Sequence, residues 1–254
     1  MARIITIANQ KGGVGKTTTA INLGAYLAHH GKFVLLVDLD PQANATSGLG
    51  IDHRGLQQGI YHSLIGQAPI KKILQDTAHH GYRLAPSTPD LAGARVELIE
   101  IPDREFQLHN VLLEVRNDYD YIIIDSPPSL DLLTVNALVA ANEILIPIQA
   151  EYYALEGLGQ LLHTIDLVKE NLKSNLRVLG GLVTMYDKRN KLSRHVLNEL
   201  YQHFPHRIFN SIIPRNVRLT ESPSFGRTVL NYDAGCKGAR AYESLAREVI
   251  ELEE

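Results

Sequence analysis

The chain has 254 residues, 44% of them hydrophobic, and a formal net charge of −3. That length suits one α/β domain, and the apolar content is enough for a substantial core. The single cysteine, Cys236, excludes an intrachain disulfide and any multi-cysteine metal or cluster site. At the start, MARIITIANQ places one basic residue before an apolar run too short for a signal peptide. No stretch approaches the roughly 18 apolar residues of a membrane span. A cytoplasmic protein without a membrane partner is expected. The eleven histidines are scattered without metal-ligand spacing, so most are expected to be solvated. The pairs His29–His30 and His79–His80 precede glycines and read as helix ends or loops.

Short apolar runs ending at polar turns alternate with helical patterns. Ile4–Ala8 reads as a first strand and is followed by a glycine loop. Thr18–His29 reads as a helix, with apolar Ile21, Leu23, Ala25, Leu27 and Ala28, closed by Gly31. Strands are expected at Phe33–Val37, Tyr121–Ile124, Glu143–Ile148, Val178–Thr184 and Ile208–Ile213. Between the later ones lie helical stretches at Leu130–Ala141, Gly157–Leu172 and Ser193–Phe204, while residues 50–110 are the least regular and read as a helical flank. Continuous β-branched runs separated by helices predict an α/β fold, a mostly parallel twisted sheet with helices on both faces. No repeat or linker divides residues 1–254, so a single domain is expected.

The segment from Asn9 to Thr18, NQKGGVGKTT, joins the first strand to the first helix. Glycines let backbone N–H groups turn inward around an anion, and a helix N-terminus adds its positive end. In such a loop Lys16 contacts the β- and γ-phosphates and the Thr17 hydroxyl ligates Mg²⁺. ATP and Mg²⁺ are therefore the expected cofactors. The usual pattern has glycine five residues before the Gly-Lys pair, where this chain has Gln10, and a second lysine, Lys11, follows it. Asp125 ends an apolar strand, where an acid can reach Mg²⁺ through a water. In VDLDPQ, Asp38 and Asp40 lie two apart and share a direction if the chain is extended there. An Asp-Pro turn at Asp40–Pro41 is compatible with that.

KGGVGKTT, VDLDPQANAT and YIIIDSPPS together resemble the deviant Walker-A ATPases of the ParA/Soj type, P-loop NTPases (AAA/CbiA-type) that segregate bacterial chromosomes and plasmids. The resemblance continues through EYYALEGL (151–158) and IPRNVRLTESPSFG (213–226). It implies that Gly12, Gly13, Val14, Gly15, Lys16, Thr17 and Thr18 hold the chain's own ATP. It implies further that Asp40 positions the attacking water, with Asp38 and Asp125 near the Thr17-bound metal. Lys11 would reach the phosphates of a partner's ATP, so that two subunits sandwich two nucleotides and Lys11, Lys16 and Asp40 form the catalytic set. Pro214, Arg215 and Asn216 would meet the adenine, with Met185 packing on the ring or serving the core.

From Met185 to Arg218 seven Lys or Arg face only Asp187 and Glu199, a local charge of +5. Charge alone allows a solvated face. The resemblance implies instead non-specific binding of double-stranded DNA by the ATP-bound homodimer, with Arg189 and Arg218 at the family's DNA positions. Lys188, Lys191, Arg194, Lys237 and Arg240 would be their neighbours on that surface. It also implies a nucleoid-associated protein and a ParB-like (Spo0J-like) partner that stimulates hydrolysis. The sequence starts almost at its first strand, so no separate N-terminal DNA-reading domain is expected. A MinD-like membrane-associated positioning ATPase is the alternative, and the acidic finish REVIELEE argues against it. A metabolic ATP-dependent synthase would need a second small-molecule site, for which no residue cluster stands out.

Overall fold

The computed structural model describes residues 1–151 and 154–253. Seven strands form one sheet: β1 Arg3–Ile7, β2 Val34–Asp38, β3 Gln75–Asp76, β4 Tyr82–Ala85, β5 Tyr121–Asp125, β6 Glu143–Gln149 and β7 Arg177–Thr184. Their order is β3-β4-β2-β5-β1-β6-β7, and every pairing is parallel except β3 with β4. The central strands are buried on both faces because helices cover both, which is why they read as continuous apolar runs.

Alternate residues divide between two cores. Leu35, Val37, Ile122, Ile124, Ile144 and Ile146 face the helices Gln107–Leu113, Leu132–Ala140, Ala154–Asn171 and Lys191–His203. Val34, Leu36, Ile123 and Leu145 face helix α1, Lys16–His29, and the helix Lys237–Glu251. The Lys237–Glu251 helix lays Ala239, Tyr242, Leu245, Ala246 and Val249 into that second core. Tyr242 also meets Thr19 of α1, hydroxyl to hydroxyl at 3.1 Å. Below β1 and β6, the buried Glu143 carboxylate accepts from both Arg3 and Arg177, and Arg3 reaches on to the Val249 carbonyl at 2.7 Å.

Two expectations need correction. Ile208–Ile213 does not form a regular strand; it touches β7 only by isolated bridges and single hydrogen bonds, such as Phe209 N to Gly181 O at 2.9 Å. The cause lies at Asn210 and Ser211, whose amides turn aside to donate to Glu248 at 2.9 and 3.0 Å. The irregular flank at 50–110 is not purely helical either. It holds β3 and β4 among short helices, and four residues of β4 were too few for their alternation to show. The remaining elements shift by no more than three residues at their ends. Among the histidines, His79 is tied down, with Nε2 2.8 Å from the Thr228 hydroxyl.

The apposition of α1 and β4 is close. A Cβ built at Gly24 would stand 2.4 Å from the Tyr82 hydroxyl oxygen, inside the second core. Gly24→Ala is therefore expected to destabilise the fold by roughly 1–2 kcal/mol despite its better helix propensity, since overpacking outweighs that gain. Urea denaturation checks this, and a stabilised variant would contradict the packing described.

Candidate nucleotide site and basic surface

The loop between β1 and α1 turns on two glycines in the left-handed region, Gly13 with φ 75° and Gly15 with φ 92°. No side chain caps α1, whose N-cap is Gly15. From Gly12 to Thr18 the backbone N–H groups find no acceptor among the described residues. Unpaired amides at a helix N-terminus, curled around a concavity, are what an anion needs. Lys16 is buried to 6% exposure, and its ammonium donates to the Lys11 carbonyl at 3.1 Å. Burial pulls the Lys16 pKa down, and the nearby carboxylates of Asp125 and Asp40 only partly restore it.

Asp38 and Asp125 end neighbouring strands and face each other in register. Both are fully buried. Asp38 is saturated with donors: the Thr46 hydroxyl at 2.6 Å, the Thr46 amide at 2.8 Å and the Asp40 amide at 3.2 Å. Burial, outweighing these hydrogen bonds, nevertheless lifts the Asp38 pKa to about 6. Neither oxygen of Asp125 has a hydrogen bond of normal geometry. Burial first and the Asp38 charge second push its carboxyl well above the usual carboxylate range, against a smaller opposite effect of the Thr17 hydroxyl. An orphaned pair of buried oxygens calls for a cation. The available donors, carboxylate and hydroxyl, are hard oxygens that suit Mg²⁺. Among the described residues no group of three acidic, His or Cys side chains could hold a metal without help, so most ligands would be phosphate and water.

A cleft of ≈ 560 Å³ runs from Gly12, Gly13 and Lys16–Thr18 past Asp40 to Met185. Beside it, a pocket of ≈ 310 Å³ gathers Thr18, Met185, Pro214, Arg215 and Asn216. Met185 is half-buried with φ 52° and lines both spaces, so it is not plain core. The Asn216 side-chain oxygen caps the helix Val217–Glu221 through the Arg218 amide at 2.8 Å. Val14 is buried, and its carbonyl receives the Thr184 hydroxyl at 2.8 Å. Sequence reasoning passed over Thr46, Thr184 and Tyr242. Thr46 stands inside the VDLDPQANAT motif and was readable there; nothing local marks the other two.

Lys11 points elsewhere. It is absent from the lining of the 560 Å³ cleft and instead borders a ≈ 240 Å³ cavity with Gln10 and Gln149. Its ammonium lies 3.4 Å from Glu151, which Arg215 also approaches at 3.7 Å. Of the EYYALEGL segment, Tyr152 and Tyr153 lie outside the described residues.

The basic residues fall in two groups that meet at the carboxyl end of β7. Lys188, Arg189, Lys191 and Arg194 are exposed on and before the helix Lys191–His203. Arg218, Lys237 and Arg240 sit on the opposite layer of the sheet, and all three are exposed. The bridge Tyr186↔Pro214 joins the loops that carry the two groups. Arg189, 85% exposed, is paired with Asp187 at 3.1 Å, and Arg218 with Glu221 at 2.9 Å and Asp233 at 3.3 Å.

A parallel sheet with an open amide cradle, a buried lysine and strand-end carboxylates at its carboxyl edge defines a P-loop ATPase. An AAA domain family model matches residues 2–178. The chain is 52% identical to the chromosome partitioning protein ParA of Myxococcus xanthus, over 98% of this chain and 88% of that one. It is 50% identical to the sporulation initiation inhibitor protein Soj of Bacillus subtilis, over 98% of each. Among solved structures, cobyrinic acid a,c-diamide synthase from Mycobacterium smegmatis with bound ADP and magnesium superposes with TM-score 0.88. That structure is 38% identical, over 99% of this chain and 95% of that one. The chain belongs to the ParA/Soj family of chromosome-partitioning ATPases.

The elevated Asp38 pKa has a consequence for stability. A carboxyl whose folded pKa is raised holds its proton better in the folded state, so stability falls as pH rises from about 3.8 to about 6. In chelator and without nucleotide, the denaturation free energy is expected to decline across that window. Asp38→Asn should make the decline shallower, leaving the part that the raised Asp125 carboxyl contributes; an unchanged slope in that variant would exclude Asp38 as a source.

Proposed function

We propose that the protein is an ATP-gated DNA-segregation switch: ATP and Mg²⁺ binding joins two copies face to face, and the dimer holds DNA without sequence preference. The observation that carries this reading is the position of Lys11, beside the phosphate loop yet directed away from its own cleft. A second loop lysine that does not serve its own nucleotide fits one donated to the partner's, where it would stabilise charge on the transferred phosphoryl group.

Within one subunit, the amides of Gly12–Thr18 and the Lys16 ammonium would hold the β- and γ-phosphates. Thr17 would ligate Mg²⁺ directly, and Asp125 would hold it through water. When bound, the metal supplies charge neutralisation between the phosphates. Asp38, occupied by Thr46, orients the turn that carries Asp40. Asp40 borders the cleft with its Oδ1 accepting from the Gln42 amide at 3.0 Å, and we assign it the attacking water. Met185 and the Pro214–Asn216 turn would take the adenine.

Arg189 and Arg218, helped by Lys188, Lys191, Arg194, Lys237 and Arg240, would exchange their carboxylate partners for DNA phosphates. Such contacts carry no sequence information, weaken steeply with salt and gain strength when two patches are paired. A ParB-like partner would stimulate hydrolysis and reset the switch, with the protein cytoplasmic and nucleoid-associated. The membrane reading is disfavoured by the packing of the helix Lys237–Glu251, whose apolar face is already covered in the core. No described helix is long and apolar enough to cross a membrane. The synthase likeness rests on 38% identity, against 50–52% to partition proteins over the same residues.

Lys11→Ala is expected to bind ATP with unchanged affinity and to remain monomeric with ATP in sedimentation velocity. Full-strength ATP dimers of that variant would overturn the trans role. Asp40→Ala is expected to bind ATP and dimerise while its turnover falls at least a hundredfold, as for removal of a group that activates the nucleophile. Unchanged phosphate release by this variant would remove Asp40 from the mechanism.

A further inference from the structure

At the amino-terminal edge of the sheet, away from the phosphate loop, three basic side chains converge on a cavity of ≈ 210 Å³. His109 comes from the helix Gln107–Leu113, Arg116 follows that helix, and Lys173 follows the helix Ala154–Asn171. All three are half-buried. Elsewhere basic residues commonly have acidic partners, as Lys32 has Glu253, Lys71 has Asp118 and Arg247 has Glu243. None of the three at this cavity has a carboxylate within ion-pair distance among the described residues.

Their backbones are fixed. Arg116 donates its amide to Leu112 O at 2.9 Å and accepts from the Ala2 amide at 2.8 Å, and the Lys173 amide is held by Val168 O at 2.8 Å. Asn142, also at the cavity, spends its side-chain oxygen on the Ile4 amide at 2.9 Å, which leaves its NH₂ as a donor. Ile4 and Leu112 give the cavity an apolar floor.

Burial and then the neighbouring positive charges of Lys173 and Arg116 lower the pKa of His109; burial and then Arg116 lower that of Lys173. The cluster therefore carries uncompensated positive charge at a half-buried place, at a cost to the fold. An anion removes that cost.

We infer that the cavity formed by His109, Arg116, Lys173 and Asn142 binds a small phosphate-bearing ligand. The class follows from the donors. Arg116 offers a planar fork that matches two phosphate oxygens, Lys173 a point charge for a third, and Asn142 a neutral donor. Together Arg116 and Lys173 match the charge of a phosphate dianion, whose binding favours the charged form of Lys173. The volume lies below the ≈ 300–1,000 Å³ of drug-sized sites and suits a phosphate with a short organic body on the apolar floor.

The test uses the full chain loaded with ADP and Mg²⁺, so that the phosphate loop is filled. Phenyl phosphate and, separately, inorganic phosphate are titrated while amide and side-chain NMR signals are followed. Saturable shifts at His109, Arg116 and Lys173 are expected. The double variant Arg116→Ala/Lys173→Ala should bind at least tenfold more weakly while keeping wild-type affinity for ADP, which shows that it is folded. Equal affinity for both probes supports a site that reads the phosphate group alone, and tighter phenyl phosphate supports an organic phosphate. Absence of saturable shifts, or undiminished binding by the double variant, would overturn the inference. Shifts at the same residues with duplex DNA but with neither phosphate would also overturn it, making the cluster a nucleic-acid contact.

Discussion

Two carboxylates held side by side without water, Asp38 and Asp125, set the terms for everything at the carboxyl edge of this sheet. Parallel pairing of β2 with β5 places them in register, and helices on both faces leave neither any solvent. Charge in such a place is costly unless it is paired. The protein pairs it unequally. Thr46 and the Asp40 amide satisfy Asp38, while Asp125 is left with bare oxygens and Lys16 at some remove. The folded chain is thus incomplete at one point and rigid around it. A cation accompanied by phosphates would satisfy Asp125, the open amides of the glycine loop and Lys16 together.

The same frame separates the two lysines of the loop. Lys16 begins α1, so the helix carries its side chain back under the loop and into the buried charge. Lys11 lies before the left-handed turns at Gly13 and Gly15, and the chain's reversal there sends it to the other side, toward Glu151. One short loop thereby presents cations in two directions. In the proposed dimer this geometry makes the state of one nucleotide a condition for the other. The basic groups near Arg189 and Arg218 lie at the same sheet edge, joined through the Tyr186–Pro214 bridge to the loops that line the pocket assigned to adenine.

Much of this was legible in the sequence, for reasons that differ by element. Buried parallel strands such as Tyr121–Asp125 announce themselves because both faces are apolar. The glycine loop is legible because left-handed turns and amide exposure restrict residue choice locally. Ile208–Ile213 misled because its apolar residues mimic a strand, whereas Glu248, far along the chain, captures the amides of Asn210 and Ser211. β4 was hidden by its length. Thr184 and Tyr242 reach the site through sheet order and helix packing, which no window of sequence contains. Met185, Pro214 and Asn216 line one pocket, a grouping that spacing along the chain does not reveal and that only the family resemblance suggested.

The central claim is that nucleotide state governs the hold on DNA. The most direct measurement is fluorescence anisotropy of a mixed-sequence duplex titrated with the wild-type protein in slowly hydrolysed ATP analogue, in ADP and without nucleotide, across a range of salt. Tight binding is predicted only with the ATP analogue, with affinity falling linearly in log–log against salt as several phosphate contacts are lost. Equal affinity in all three states, or binding indifferent to salt, would contradict the account.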